Sequence, residues 1–207
     1  MVSSHSSLQF FTIGCSLMKL ILASGSPRRA EIMRAAGYTF EISVADVDET
    51  PLLGENPADY VVRLARTKAA AIAAAEPSLV VGADTTVVVD NEILAKPLDP
   101  EDAARMLRAL SGRSHEVLTG VAVFHTQTGA LHSGLERSTV WFDQLPENWI
   151  AEYVASGEPM DKAGAYAIQG RAALYIDRIE GNYLNIVGLP LPLVRRLLAV
   201  ATEKNAG

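Results

Sequence analysis

Apolar residues fall along this chain in two patterns that take turns: short unbroken runs of strand length, and wider spacing of helical period. Residues 19–23 form an apolar run, followed by a helix over about 27–36. Residues 39–44 read as a second strand, and residues 46–55 as an acidic loop. Asn56-Pro57 opens a helix reaching about residue 75, with proline in the first turn, where a missing N–H costs nothing. Residues 79–83 are an apolar strand ending in Asp84-Thr85, and residues 87–94 are a hairpin turning at Asp90-Asn91. A helix over 100–110 is capped by Asp99 and stopped near Gly112. Two long strands, 116–125 and 131–142, turn at Thr128-Gly129. A helix over 146–155, a polar loop over 157–170, a strand over 172–179 and an amphipathic helix over 191–201 complete the chain.

This alternation predicts a mixed α/β (α+β) fold, and the long central strands predict a bent mixed sheet shared by two lobes. No repeat or linker divides the chain, so residues 18–207 read as one domain. Residues 1–17 are Ser-rich and aperiodic, and read as a disordered extension ahead of a functional start at Met18. No basic residues precede the apolar stretch around 8–17, which argues against a signal peptide, and no run is long enough to span a bilayer.

Charge narrows the partners. With 24 acidic against 18 basic side chains, the chain has no electrostatic reason to coat a nucleic acid polymer or an anionic membrane. The single cysteine, Cys15, excludes an intrachain disulfide and fits a reducing, cytoplasmic setting. A small anion remains a suitable ligand wherever basic residues cluster.

They cluster at Ser24-Gly25-Ser26-Pro27-Arg28-Arg29, where a strand runs into a helix. Ser26 is placed as N-cap and Pro27 as first helical residue, and the free N–H groups of a helix start attract phosphate. Arg28 and Arg29 oppose the helix dipole there, a conflict that a bound polyphosphate removes through bidentate contacts. The alternative is that both extend into water. The glycine spacing of a P-loop is absent.

Asp84, at the end of an apolar strand, suits Mg²⁺ ligation or activation of water for attack on phosphorus; otherwise it caps a turn. A hairpin at Asp90-Asn91 places Thr85 opposite Lys96, a point charge for phosphate or an exposed residue before Pro97. Among Asp46, Asp48 and Glu49, Glu49 is the choice for a second metal ligand. Lys68, inside a helix, takes a surface role by default. Gln169 offers an amide that both donates and accepts, suited to a base edge. The four histidines lack metal-ligand spacing, and Ser24 and Ser26 lack His–Asp partners.

Leu22-Ala23-Ser24-Gly25-Ser26-Pro27-Arg28-Arg29, Gly82-Ala83-Asp84-Thr85, Ala95-Lys96-Pro97, Asp161-Lys162-Ala163-Gly164, Ile168-Gln169-Gly170 and Gly188-Leu189-Pro190-Leu191 together resemble the Maf family. The resemblance runs from Met18 to the last helix. It implies two lobes around a deep cleft, as in inosine triphosphate pyrophosphatases, usually in a homodimer. It also implies hydrolysis of a nucleoside triphosphate between its α- and β-phosphates, with a divalent metal, Mg²⁺ or Mn²⁺. By position, Asp84 corresponds to the proton acceptor, and Arg28, Thr85 and Gln169 to specificity sites. Ser24, Arg28, Arg29, Glu49, Lys68, Lys96 and Lys162 correspond to contacts with phosphate or metal. Ile-Gln-Gly is similar to the dTTP/UTP branch, whereas the 7-methyl-GTP branch carries Glu at that point. The family's older name, septum formation protein, implies as alternative a nucleotide-sensing division inhibitor without significant hydrolysis.

Overall fold

The structure, a computed structural model, describes residues 18–203 in full. Before them it describes only the backbone of β1 (Thr12–Ile13) and β2 (Ser16–Leu17), which pair antiparallel. The reading of residues 1–17 as an extension lies outside the fully described residues.

Seven strands form one mixed sheet. β3 (Lys19–Ala23) lies parallel to β4 (Glu41–Ile42) on one side and to β5 (Ser78–Val89) on the other. From β5 the sheet continues antiparallel through β7 (Ser114–His125), β8 (Leu131–Phe142) and β9 (Ile176–Glu180). β6 (Glu92–Leu94) folds back on β5 through Asp90 and Asn91, whose φ values of 49° and 67° are those of a primed two-residue turn.

The helices follow their local signals. α1 (Pro27–Ala35), α2 (Pro57–Ala70) and α3 (Pro100–Leu110) each begin on proline. Asn56 and Asp99 cap α2 and α3 by accepting from the N–H groups of Asp59 and Asp102. α4 (Glu147–Ala155), α5 (Tyr183–Val187) and α6 (Leu191–Thr202) complete the set.

Because strand side chains alternate, β5 presents Val80, Gly82, Asp84, Thr86 and Val88 to one face and Leu79, Val81, Ala83, Thr85 and Val87 to the other. The first face is covered by α2, through Val61, Leu64, Ala65 and Ala69. The second face carries two separate cores. One gathers α1, α5 and α6 over Leu79, Val81 and Ala83, and the other gathers α3 and α4 over Val87, Val117 and Val140. Between them lie Thr85 and Thr119, paired in register. The expected two lobes on one long sheet are thus two apolar clusters separated by a polar strip.

Several boundaries depart from expectation. The strand over 39–44 shrinks to Glu41–Ile42, and α2 stops at Ala70, short of residue 75. The strand over 79–83 does not end at Asp84 but runs on to Val89, because Asp84, Thr85 and Thr86 keep pairing with β7. The strand over 172–179 is a 3₁₀ turn, Arg171–Tyr175, leading into β9. The polar loop over 157–170 holds 3₁₀ segments Glu158–Asp161 and Ala163–Ala165 and the buried ring of Tyr166.

Candidate active site

A break along one edge of β5 makes the site. β3 pairs with Ser78 to Gly82 and β6 with Val87 to Val89, so residues 83–86 have no strand beside them on that edge. A cleft of about 770 Å³ opens there, and Ser24, Arg28, Arg29, Glu49, Lys68, Asp84, Thr85, Lys96, Lys162 and Gln169 all line it. That is the size of a small-molecule site, at the carboxyl end of a parallel strand. Hairpin pairing stops at Val87–Leu94, so Thr85 is not opposite Lys96; its partner is Thr119 on β7. Both residues nevertheless reach the same cleft, from two sides of the break.

Arg29 closes the break. Its Nη1 donates to the Ala83 carbonyl (2.9 Å) and to Ser24 Oγ (3.1 Å), its Nε to the Gly188 carbonyl (2.8 Å), and its Nη2 to Thr85 Oγ1 (3.1 Å). Only one guanidinium N–H is left over. Burial works against this charge, and the Asp84 carboxylate supports it. Ser24 Oγ also accepts from the Ser26 N–H (3.2 Å), which shapes the turn. Ser26 stands at the N-cap position without a side-chain capping bond, and the first turn of α1 holds no acid. The start of α1 therefore keeps its open N–H groups toward the cleft.

Asp84 points the other way, toward α2. Its carboxylate accepts from Lys68 Nζ at 2.6 Å, and the same ammonium lies 2.7 Å from Glu49. The Lys68 side chain is only 13% exposed, which overturns its reading as a surface lysine. Tyr60, two turns earlier on α2, donates to the Glu49 backbone carbonyl (3.0 Å) and pins the acidic loop to the helix. Burial pushes the Asp84 carboxyl above the ordinary carboxylate range, and Glu49 adds to the rise, against the pull of Lys68 and Arg29. A carboxylate whose proton affinity burial has raised, at the bottom of a cleft, has the chemical character of a general base.

The cations at the mouth differ in freedom. Lys96 is exposed and has no partner among the described residues, and neither does Gln169. Arg28 and Lys162 meet at one carboxylate: Asp161 lies 3.6 Å from Arg28 Nη1 and accepts from Lys162 Nζ, which also donates to the Glu158 carbonyl (2.6 Å).

Sequence reasoning missed the support behind these groups. Thr85 Oγ1 is hydrogen-bonded to Thr119 Oγ1 (2.9 Å), which donates to the Asn185 carbonyl (3.1 Å). The fully buried Asn185 amide donates in turn to Val117 and Ser138. Behind Lys162, Tyr166 is bonded to the buried His115 (2.7 Å). No local pattern flags such pairs, since their members lie far apart in the chain.

A family model described as Maf-like protein matches residues 19–201. A dTTP/UTP pyrophosphatase of Geobacter sulfurreducens is 52% identical over 174 residues, covering 84% of this chain and 91% of that protein. The dTTP/UTP pyrophosphatases of Pelotomaculum thermopropionicum and Vibrio cholerae are each 50% identical, covering 88% of this chain and 96% and 98% of their own. A solved nucleoside-triphosphatase / dITP/XTP pyrophosphatase from Mycobacterium abscessus overlaps 62% of this chain and 76% of its own, at 19% identity and a TM-score of 0.40, too loose a likeness to carry an argument. With the family model spanning nearly the whole described chain, and relatives of this identity matched along most of it, the chain belongs to the Maf-like protein family.

Proposed function

We propose that this protein hydrolyses dTTP and UTP between the α- and β-phosphates, releasing the nucleoside monophosphate and pyrophosphate. The observation that carries the reading is the Asp84–Lys68–Glu49 cluster at the base of a cleft whose mouth presents Lys96, Arg28 and Lys162. That about half the residues are shared with proteins named dTTP/UTP pyrophosphatase supports the substrate.

In this reading Asp84 takes the proton from a water molecule as its oxygen attacks the α-phosphorus, and the α–β anhydride bond breaks toward pyrophosphate. The open N–H groups of α1, the remaining Arg29 N–H and the Ser24 hydroxyl hold phosphate oxygens. Lys96, Arg28 and Lys162 meet the charge of the leaving pyrophosphate. Thr119 gives its one hydroxyl hydrogen to Asn185, so Thr85 donates to Thr119 and faces the ligand as an acceptor. Gln169, unpaired in the cleft, matches the alternating acceptors and donor of a pyrimidine edge.

Among the described residues no group of three His, Cys, Asp or Glu side chains forms a metal cage. Asp84 and Glu49 converge on one point, the Lys68 ammonium, and offer hard oxygen donors. This fits Mg²⁺ or Mn²⁺ bound by one or two carboxylates, with the triphosphate and water supplying the other ligands. Such a cation, when bound, supplies charge neutralisation on the phosphate oxygens. No helix among the described residues is long and apolar enough to cross a membrane. A cytoplasmic homodimer that engages neither membrane nor nucleic acid polymer completes the proposal.

A panel of nucleoside triphosphates with Mg²⁺ and with Mn²⁺, scored for monophosphate plus pyrophosphate, tests it. Turnover of dTTP and UTP ahead of 7-methyl-GTP is expected, and Gln169→Glu shifts preference toward the methylated guanine nucleotide. Binding without turnover would favour the division-inhibitor alternative.

A further inference from the structure

Of the three nearest neighbours of Asp84 on its own face of the sheet, Gly82, Thr86 and Gly120, two are glycines. Gly82 precedes it by two residues on β5, and Gly120 is its cross-strand partner on β7. A Cβ at Gly120 would run into the Val61 carbonyl and come within 2.7 Å of the Val62 nitrogen. A Cβ at Gly82 would run into the Ala65 carbonyl and come within 2.7 Å of the Ala69 nitrogen. All four of these atoms belong to the backbone of α2, so no side-chain rotation relieves either clash. The helix is seated on bare strand backbone on both sides of Asp84, through residues 61, 65 and 69. Lys68 belongs to the same turn as Ala65 and Ala69, and it reaches Asp84 from there at 2.6 Å.

We propose that Gly82 and Gly120 are positioning residues: the trough they leave fixes how close α2 approaches the sheet, and thereby the distance from Lys68 to Asp84. This rests on the reading of Asp84 as the group that activates water. Backbone conformation explains neither glycine. Their positive-φ counterparts elsewhere serve turns, whereas these two lie inside long strands, where glycine weakens the sheet and marks close approach of another backbone. Gly134 provides the contrast. Its added Cβ would meet only the flexible Leu193 side chain, at 2.9 Å.

The test is Gly120→Ala, with Gly134→Ala as the matched control, each followed by a crystal structure and by dTTP kinetics with Mg²⁺. The proposal expects α2 to rise in Gly120→Ala, Lys68 to move beyond hydrogen-bond reach of Asp84, and kcat to fall about a hundredfold with a smaller change in KM. It expects Gly134→Ala to keep the contact and kcat. Adding Lys68→Arg to Gly120→Ala then recovers part of the loss through its longer reach, whereas Lys68→Arg alone lowers kcat about tenfold. An unchanged Lys68–Asp84 distance in folded Gly120→Ala overturns the proposal, and so does a double variant worse than Gly120→Ala. If Gly120→Ala does not fold, Gly82→Ala takes its place; if neither folds, full kcat in Lys68→Arg alone overturns the idea. Should Asp84→Asn turn over normally, the base reading fails, while the crystallographic distance still decides the role of the glycines.

Discussion

Lys68 on α2 and Asp84 on β5 form an ion pair of 2.6 Å in which both side chains are nearly buried, at 13% and 12% exposure. The pair joins the helix to the strand at the one place where the strand lacks a neighbour on its open edge. Its net effect on Asp84 is incomplete compensation: burial outweighs the cation, and the carboxyl stays above its ordinary range.

That direction gives a first prediction. With Asp84 as the proposed base, kcat/KM falls on the acid side through a carboxyl titrating above the usual carboxylate range. Lys68→Met removes the attraction and moves that limb to still higher pH. A pH–rate profile of both proteins checks it.

The same direction has a consequence for stability. A carboxyl raised in the folded state binds protons there more readily than in the unfolded chain, so its ionisation lowers stability as pH rises through the raised value. Asp84→Asn therefore melts no lower than the parent protein at pH 7, and the difference narrows as pH falls toward the ordinary carboxylate range. Thermal melts across pH read this directly.

Buried His115 behaves in the opposite sense. Burial lowers its pKa from 6.5 to about 3, so it stays neutral beside Tyr166 while the unfolded chain would charge it. Stability is lost as pH falls from 6.5 toward 3, with a slope near 1.4 kcal/mol per pH unit from this group. His115→Gln flattens that window in acid denaturation curves. Tyr166→Phe, which leaves His115 Nε2 unpaired, costs about 1–3 kcal/mol at neutral pH.

Arg29→Ala removes four hydrogen bonds that join α1, β5 and the Gly188 turn. Loss of about 2–4 kcal/mol of stability accompanies loss of phosphate affinity, while base preference is unchanged. Denaturant titration together with a nucleotide panel separates the two effects.

Asp161 holds Arg28 and Lys162 by the charge that a phosphate would bring. Asp161→Asn removes the carboxylate that Arg28 and Lys162 share, leaving Lys162 on the Glu158 carbonyl, and pyrophosphate then inhibits about fivefold more tightly, in keeping with the modest worth of partly exposed ion pairs. Product-inhibition constants measure it.

Much of the fold was legible because helix starts and turns carry local chemistry: Asn56-Pro57, Asp99-Pro100 and Asp90-Asn91 are read where they stand. The course of β5 through Asp84-Thr85-Thr86 was not, because polar side chains over a cleft look like the end of a strand. α5 was missed because five residues are too few to show a helical period. In the site, the resemblance gathered residues that the cleft does bring together, and the paired arginines alone pointed to the anion-binding loop. Lys68 looked like a surface lysine because only the sheet beneath α2 shows that it is buried. Arg29 looked free for phosphate because its partners Ala83, Thr85 and Gly188 lie 54, 56 and 159 residues away.

In the proposed reaction Asp84 activates the water that splits a pyrimidine nucleoside triphosphate. The most direct measurement is pyrophosphate release from dTTP with Mg²⁺ by the parent protein and by Asp84→Asn, both shown to be folded. Turnover by the parent protein is expected, with a fall in kcat of about a thousandfold in the variant and nucleotide still bound. Undiminished pyrophosphate release by Asp84→Asn would contradict it.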